Sequence, residues 1–262
     1  MKKALSILLA VVMALTVVGA FAACSKDTAK NTVADLDLIK QKGTLVVGIT
    51  NYEPMDYKAE DGSWTGFDAE FATAFAESLG VKVEFVEINW DNKYLELNSK
   101  NIDVIWNGMT ISPSVKENCD VSKAYAGNSQ VIVMKEDKVV DTAEAAKNLT
   151  IAVEKGSAGE TEAKKLTSNI VSLTAQSDAL KEVKAGTADA CIIDSTMANS
   201  MTKDGTDFSD LTYKVALTTE EYGIGARKGS DLTAKLDEFI DASMADGSLQ
   251  KLSDKYGVDL AK

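Results

Sequence analysis

The sequence has 262 residues, 45% of them hydrophobic, with a formal net charge of −12 and no histidine. That acidity excludes a nucleic-acid binder, which needs a Lys/Arg excess to neutralise phosphates. The missing histidine excludes Ser-His triads, histidine metal sites and HExxH helices, so neither a metal nor another cofactor is expected.

The chain opens on a targeting segment. Lys2 and Lys3 form a basic start and residues 5–18 an apolar stretch, followed by Ala20-Phe21-Ala22-Ala23-Cys24. Residues 1–23 therefore read as a signal peptide, and 24–34, polar and small from Ser25, as a tether. The segment resembles a bacterial lipoprotein signal, in which Cys24 is lipidated and becomes the mature N-terminus; Phe21 departs from the aliphatic residue usual three places before the cysteine. Cys119 and Cys191 remain, and Cys191 sits in the apolar run Ala190-Cys191-Ile192-Ile193. Two free thiols are expected.

Asp35–Lys42 reads as a short helix ended by Gly43. Thr44–Ile49 reads as a strand, with irregular chain through Met55 and a turn at Asp61-Gly62. Phe67, Phe71, Ala74, Phe75 and Leu79 recur on one helix face, and Gly80 stops that helix. Residues 81–88 alternate as a strand, and Trp90 precedes a helix through Leu95 and Leu97. The next stretch, 103–125, is the most informative. Val104-Ile105-Trp106 forms a buried strand that ends at Asn107-Gly108, where a missing Cβ permits close approach. Thr110 and Ser112 offer hydroxyls, and Ser112-Pro113 reads as the N-cap and first position of a short helix. A glycine at the carboxyl end of a buried strand, followed by hydroxyls and free N–H groups, is where open α/β sheets bind small molecules.

The second half repeats this layout. Strands are expected at 130–134, 150–153, Ile170–Leu173 and 189–193. Helices are expected at 142–147, from Ser157 through Leu166, from Ser177 to Ala185, and after Asp194-Ser195. A strand at 221–226 and helices at 232–244 and 249–256 complete the chain. A βαβαβ order thus occurs twice, which predicts an α/β fold with parallel sheets covered by helices. Two similar lobes facing each other would bring their strand-end loops to one cleft; a single larger sheet is the alternative.

The pieces together resemble the extracellular solute-binding proteins of polar amino-acid ABC transporters, over essentially all of the mature chain. The resemblance is carried by Leu45-Val46-Val47-Gly48, Gly62-Ser63-Trp64-Thr65-Gly66-Phe67-Asp68 and Gly108-Met109-Thr110-Ile111-Ser112. It continues in Gly186-Thr187-Ala188-Asp189-Ala190, Tyr222-Gly223-Ile224-Gly225 with Lys228-Gly229, and Asp246-Gly247-Ser248-Leu249 with Lys255-Tyr256-Gly257. It implies a two-lobe periplasmic-binding-protein-like fold, each lobe a mainly parallel sheet flanked by helices, with the ligand in the cleft between them. The chain would cross near Ala126-Gly127-Asn128 and near Thr219-Glu220-Glu221. Lobe one would then be 35–126 with 221–262, and lobe two 129–218.

The resemblance also implies roles. Tyr52 and Trp90 fall where two aromatic rings sandwich the ligand, although both also suit core packing. Asn107, Gly108, Met109 and Thr110 fall where backbone and hydroxyl groups bind it. Ser157 opens a helix whose free N–H groups suit a carboxylate. Asp194 falls where a carboxylate meets the ligand's α-ammonium, its alternative being an ordinary N-cap. Two positions depart from the pattern. Val115 stands where relatives carry an arginine for the ligand's carboxylate, and Lys116 lies roughly 100° further around the helix. Glu154 stands where some relatives have a lysine. Either helix N-termini and hydroxyls hold the carboxylate, or the ligand is not a simple α-amino acid. The implied function is a monomeric, extracytoplasmic binding protein, anchored through Cys24, that closes on a small amine-bearing solute such as an amino acid and passes it to permease subunits. It would not be an enzyme. The competing reading is a cyclic hydroxy-acid dehydratase on the same scaffold, with Glu154 or Asp194 as its acid.

Overall fold

The computed structural model describes residues 34–262. The expected signal peptide, the lipidation site Cys24 and all but the last tether residue lie outside the described residues. In chain order the elements are α1 (Asp35–Lys42), β1 (Thr44–Ile49), β2 (Tyr57–Lys58), β3 (Trp64–Thr65), α2 (Phe67–Ser78), β4 (Lys82–Glu87), α3 (Lys93–Asn98), β5 (Val104–Ile105), α4 (Pro113–Asn118), β6 (Asp120–Val121) and β7 (Ala126–Asn128). They continue as β8 (Gln130–Lys135), β9 (Ile151–Glu154), α5 (Ala158–Leu166), β10 (Ile170–Leu173), α6 (Gln176–Ala185), β11 (Ala190–Asp194), α7 (Ser195–Met201), β12 (Leu211–Ala216), β13 (Glu220–Tyr222), β14 (Gly225–Ala226), α8 (Leu232–Ala245) and α9 (Ser248–Tyr256). Among the described residues no helix is long and apolar enough to cross a membrane.

Two five-stranded sheets carry these elements, in the orders β4-β1-β5-β14-β6 and β10-β9-β11-β8-β12. In each sheet the first three strands are parallel, the fourth runs against them, and the fifth pairs antiparallel with the fourth. The expected mainly parallel sheets are therefore mixed. Helical crossovers force the parallel order in the βαβ halves. The strand beside the third one, β14 in the first sheet and β8 in the second, instead arrives directly from the other sheet and is free to run the opposite way. The two crossing segments, β7 and β13, pair antiparallel with each other, Ala126 opposite Tyr222 and Asn128 opposite Glu220.

The internal repeat extends to hydrogen bonds. Asp103, just before β5, accepts the Val46 N–H at 2.8 Å, and Asp189, just before β11, accepts the Thr150 N–H at 2.8 Å. Each aspartate locks the entry of its sheet's third strand to that of the neighbouring second strand, β5 to β1 and β11 to β9. In the first sheet the single arginine of the sequence, Arg227, adds a second lock. It is buried, pairs with Asp35 at 2.9 Å, and donates to the carbonyls of Leu97 and Ile102 at 3.1 and 2.8 Å. All five guanidinium donors cannot be matched by one acid, so backbone carbonyls complete the set.

Helix α2 buries Phe67, Phe71 and Phe75, spaced four apart, against Trp106 and Tyr125. Phe71 meets Trp106 edge-on at 5.3 Å between centroids, and Phe67 stacks on Tyr125 at 6.1 Å. Three local expectations change. Residues 143–146 form a 3-10 turn rather than a helix; α6 starts at Gln176, one residue before Ser177; and 221–226 is two strands. That break arises because Tyr222 pairs with β7 while Gly225 pairs within the first sheet. Strand β12 had no counterpart in the sequence reading. Cys119 and Cys191 are both buried and unpaired.

Helix α5 presses its first turn onto β11 through Gly159, where a Cβ would lie 2.6 Å from the Ile192 carbonyl oxygen. That nearest neighbour is backbone and cannot yield, and the Gln130 side chain stands at 3.0 Å beside it. Gly159→Ala is expected to lower stability by about 1–3 kcal/mol, measured as an earlier urea midpoint at unchanged slope.

Candidate functional site

The carboxyl ends of β4, β5, β9 and β11, with β13, converge on a cavity of about 430 Å3. That volume suits a small solute. Trp90, Asn107, Gly108, Met109, Thr110, Ser157 and Asp194 all line it. Tyr52 does not line it, which changes the expected pair of rings. A backbone bridge between Tyr52 and Asp56, with N–H···O distances of 2.7 and 2.8 Å, curls this loop inward. Tyr52 is buried, its hydroxyl 2.6 Å from that of Tyr222. Its ring fills the space behind Gly108, where a Cβ would stand 2.6 Å from the ring and φ is +55°. Only glycine serves there.

Several expected donors are already committed. The Gly108 N–H donates to Asp68 at 2.7 Å, and the Asn107 amide donates to Asp56 at 2.6 Å and to the Thr50 carbonyl at 3.2 Å. These residues build the cavity wall. The Thr110 hydroxyl donates to Glu220 at 3.0 Å. Ser157 caps α5, accepting the Glu160 N–H at 3.0 Å, while the Glu160 carboxylate accepts the Gly156 N–H at 3.1 Å. The two bonds make a reciprocal cap.

Asp194 precedes α7 but makes no capping bond. It accepts instead from the amides of Asn128, Gln130 (2.6 Å) and Gln176, while its own N–H donates to Gln176 at 2.9 Å. Burial pushes its carboxyl up to about 6, against the pull of the Gln176 amide. Glu220, on β13, shares the same amide donors at 3.2 and 3.0 Å. It was missed in the sequence because it lies in a crossing segment, yet its place beside the hinge-like pair was the available signal.

Lys93 is the second addition. It is the cavity's only cationic side chain among the described residues. Its ammonium donates to the carbonyls of Trp90 and Gly156, both at 3.0 Å, and lies 4.7 Å from the Trp90 ring centroid. Burial lowers it to about 8, the charges of Glu154 and Asp91 opposing that shift. Its position three after Trp90, on the first turn of α3, is the sequence signal. Val115, at the position where the resemblance implies an arginine, lines the cavity; Lys116 does not line it, and Arg227 is held in its ion pair elsewhere. The lining thus combines neutral dipoles with one ammonium.

The chain matches the model of the bacterial extracellular solute-binding proteins, family 3, over residues 45–259. It is 32% identical over 234 residues to the L-cystine-binding protein TcyJ of Escherichia coli (strain K12), covering 87% of this chain and 88% of that one. It is 31% identical over 222 residues to the arginine-binding extracellular protein ArtP of Bacillus subtilis (strain 168), covering 82% and 86%. Among solved structures, the ancestral amino acid-binding protein AncCDT-1, a precursor of cyclohexadienyl dehydratase, superposes with a TM-score of 0.79 at 33% identity, covering 85% and 99%.

Beneath the wall, Asp56 and Asp68 are buried acids, each with one oxygen lacking a partner among the described residues. Burial holds Asp68 at about 7, against the Gly108 N–H and the Tyr125 hydroxyl, and raises Asp56 well above the carboxylate range with the Asp68 charge adding to it. Both folded values exceed the unfolded ones, so the folded chain binds more protons and stability falls as pH rises from about 4 towards 7. Between pH 5 and 7.5 the expected loss from Asp68 is roughly 2 kcal/mol, and Asp68→Asn should flatten the profile of urea midpoints against pH.

Proposed function

The chain belongs to the bacterial extracellular solute-binding proteins of family 3, and from that premise we propose that it captures an amino acid in the cleft and delivers it to an ABC permease. One observation carries the reading: Asp194 is a buried carboxylate in the cavity, served by neutral amides and, among the described residues, by no cation. A carboxylate so placed is matched by an ammonium. Trp90 offers a ring face, and the Lys93 ammonium faces the same space as counter-charge for the solute's carboxylate. Tyr52 supports the wall from behind.

The paired segments β7 and β13 are the natural hinge, lobe one being 35–126 with 221–262 and lobe two 129–218. Lys93 to the Gly156 carbonyl, Lys155 to Asp91 at 3.0 Å and Ser200 to Glu53 at 3.2 Å join the two sides. These contacts would form on closure and favour the closed state together with the solute. The mature protein would be a monomer held on the extracytoplasmic side of the cell membrane by lipidated Cys24. A dehydratase reading draws on the buried acid Glu154 and on the name of the AncCDT-1 lineage. That neighbour is itself named an amino acid-binding protein, which favours binding here.

A thermal-shift screen of amino acids against the full chain tests the reading, since a bound solute raises apparent stability by mass action. Asp194→Asn should weaken the best solute by roughly 3–5 kcal/mol and Trp90→Ala by about 1–3 kcal/mol, both by calorimetry. Unchanged affinity in a folded Asp194→Asn variant would remove the proposed ammonium site. Cys24→Ala should release the protein from membranes at unchanged affinity, read by fractionation.

A further inference from the structure

The cavity contains a carboxyl group that the proposed function does not use. Glu154, the last residue of β9, lines the cavity and is buried at 3% exposure. Neither of its side-chain oxygens has a hydrogen-bond partner among the described residues, and Oε1 is wholly shielded from solvent. Asp194 has three amide donors, Glu220 shares two of them, and Glu162 is paired with Lys165 at 2.6 Å. Glu154 alone among the cavity's acids is without a donor.

Its surroundings are electrostatically one-sided. Asp194 on β11 and Asp178 on α6 face it with negative charge, and Lys93 on α3 is the opposing charge. On α5, Glu160 and Glu162 are each satisfied by a lysine of their own helix. The Lys93 ammonium points to two carbonyls and forms no ion pair with Glu154. A buried carboxyl with no donor is costly to ionise, and it stays neutral until a cation arrives.

Resting on the amino-acid reading above, we infer that the solute carries a second cationic group and that Glu154 receives it. Asp194 then takes the first ammonium, Glu154 the second, and Lys93 the carboxylate. Four acids and one base in the lining give the cleft the charge complement of such a solute. Burial and the Asp194 charge hold the Glu154 carboxyl up at about 8, so at neutral pH it carries its proton in the free cleft. The arriving cation stabilises the carboxylate, and the proton passes to water. Binding of a two-cation solute is therefore coupled to proton release.

Calorimetry at pH 7 in phosphate and in Tris, buffers of different ionisation enthalpy, counts that proton. The probes are L-lysine, L-arginine and L-cystine, each with two cationic groups, and L-norleucine and L-methionine, each with one. At least one two-cation probe should bind tenfold or more tighter than L-norleucine and release about 0.9 proton beyond any released by L-norleucine. In Glu154→Gln, that extra proton and the tenfold preference should both vanish while L-norleucine binding persists. One-cation probes binding as tightly as the others, or a two-cation probe binding without extra proton release, overturns the inference and leaves the amino-acid reading standing. Failure of all five to bind removes the amino-acid reading and this inference with it. The wild-type proton count decides the matter even if Glu154→Gln fails to fold.

Discussion

A carboxyl group taken out of water needs a cation, a set of donors or a proton, and the interior of this molecule uses all three. Asp35 and Asp103 share Arg227, which ties α1 to the start of β5 and the end of β14 and seats those two strands side by side. Asp194 is surrounded by amides from β7, β8 and α6, so it fixes the positions of those elements around the cavity. Asp56 and Asp68 sit under the Asn107-Gly108 wall, and protons replace missing donors there. Among the described residues Glu154 has neither an ion-pair partner nor a hydrogen-bond donor. The cavity's chemistry thus follows from how each acid solves the same desolvation problem.

The solutions also explain why the wall is rigid. Gly108 is held from one side by the Asp68 carboxyl and from the other by the Tyr52 ring, and Tyr52 is itself anchored to Tyr222 on the crossing strand. A solute contacting Gly108 or Thr110 therefore meets a surface mechanically continuous with β13. The fold places the cavity wall and the crossing segment in one packed unit, an arrangement through which a solute in the proposed site would bias a hinge there.

Much of this was legible in the sequence. The apolar periodicity of α2, the Ser112-Pro113 cap and the buried run at β11 follow directly from residue type and spacing. The strand-end rule alone drew attention to Asn107, Gly108 and Thr110. What escaped was of two kinds. Tyr52 turns inward because of a backbone bridge to Asp56, a local geometry that propensity does not encode. Lys93 and Glu220 enter the cavity because α3 and β13 are oriented by tertiary packing, and a charged residue on a short element reads from sequence as a solvated face. The reversed fourth strand of each sheet escaped for a similar reason, since strand direction after a crossing is set by where the chain comes from and not by its composition.

The two thiols described above have a use of their own. Cys119 closes α4 at the first sheet and Cys191 lies within β11 of the second, both fully buried and both shifted away from the reactive thiolate, Cys119 to about 11. Each half of the molecule thus carries one built-in clock for transient opening. A thiol reagent can reach either sulfur only when its own sheet breathes, so the two labelling rates would separate local from global fluctuation without any engineered probe.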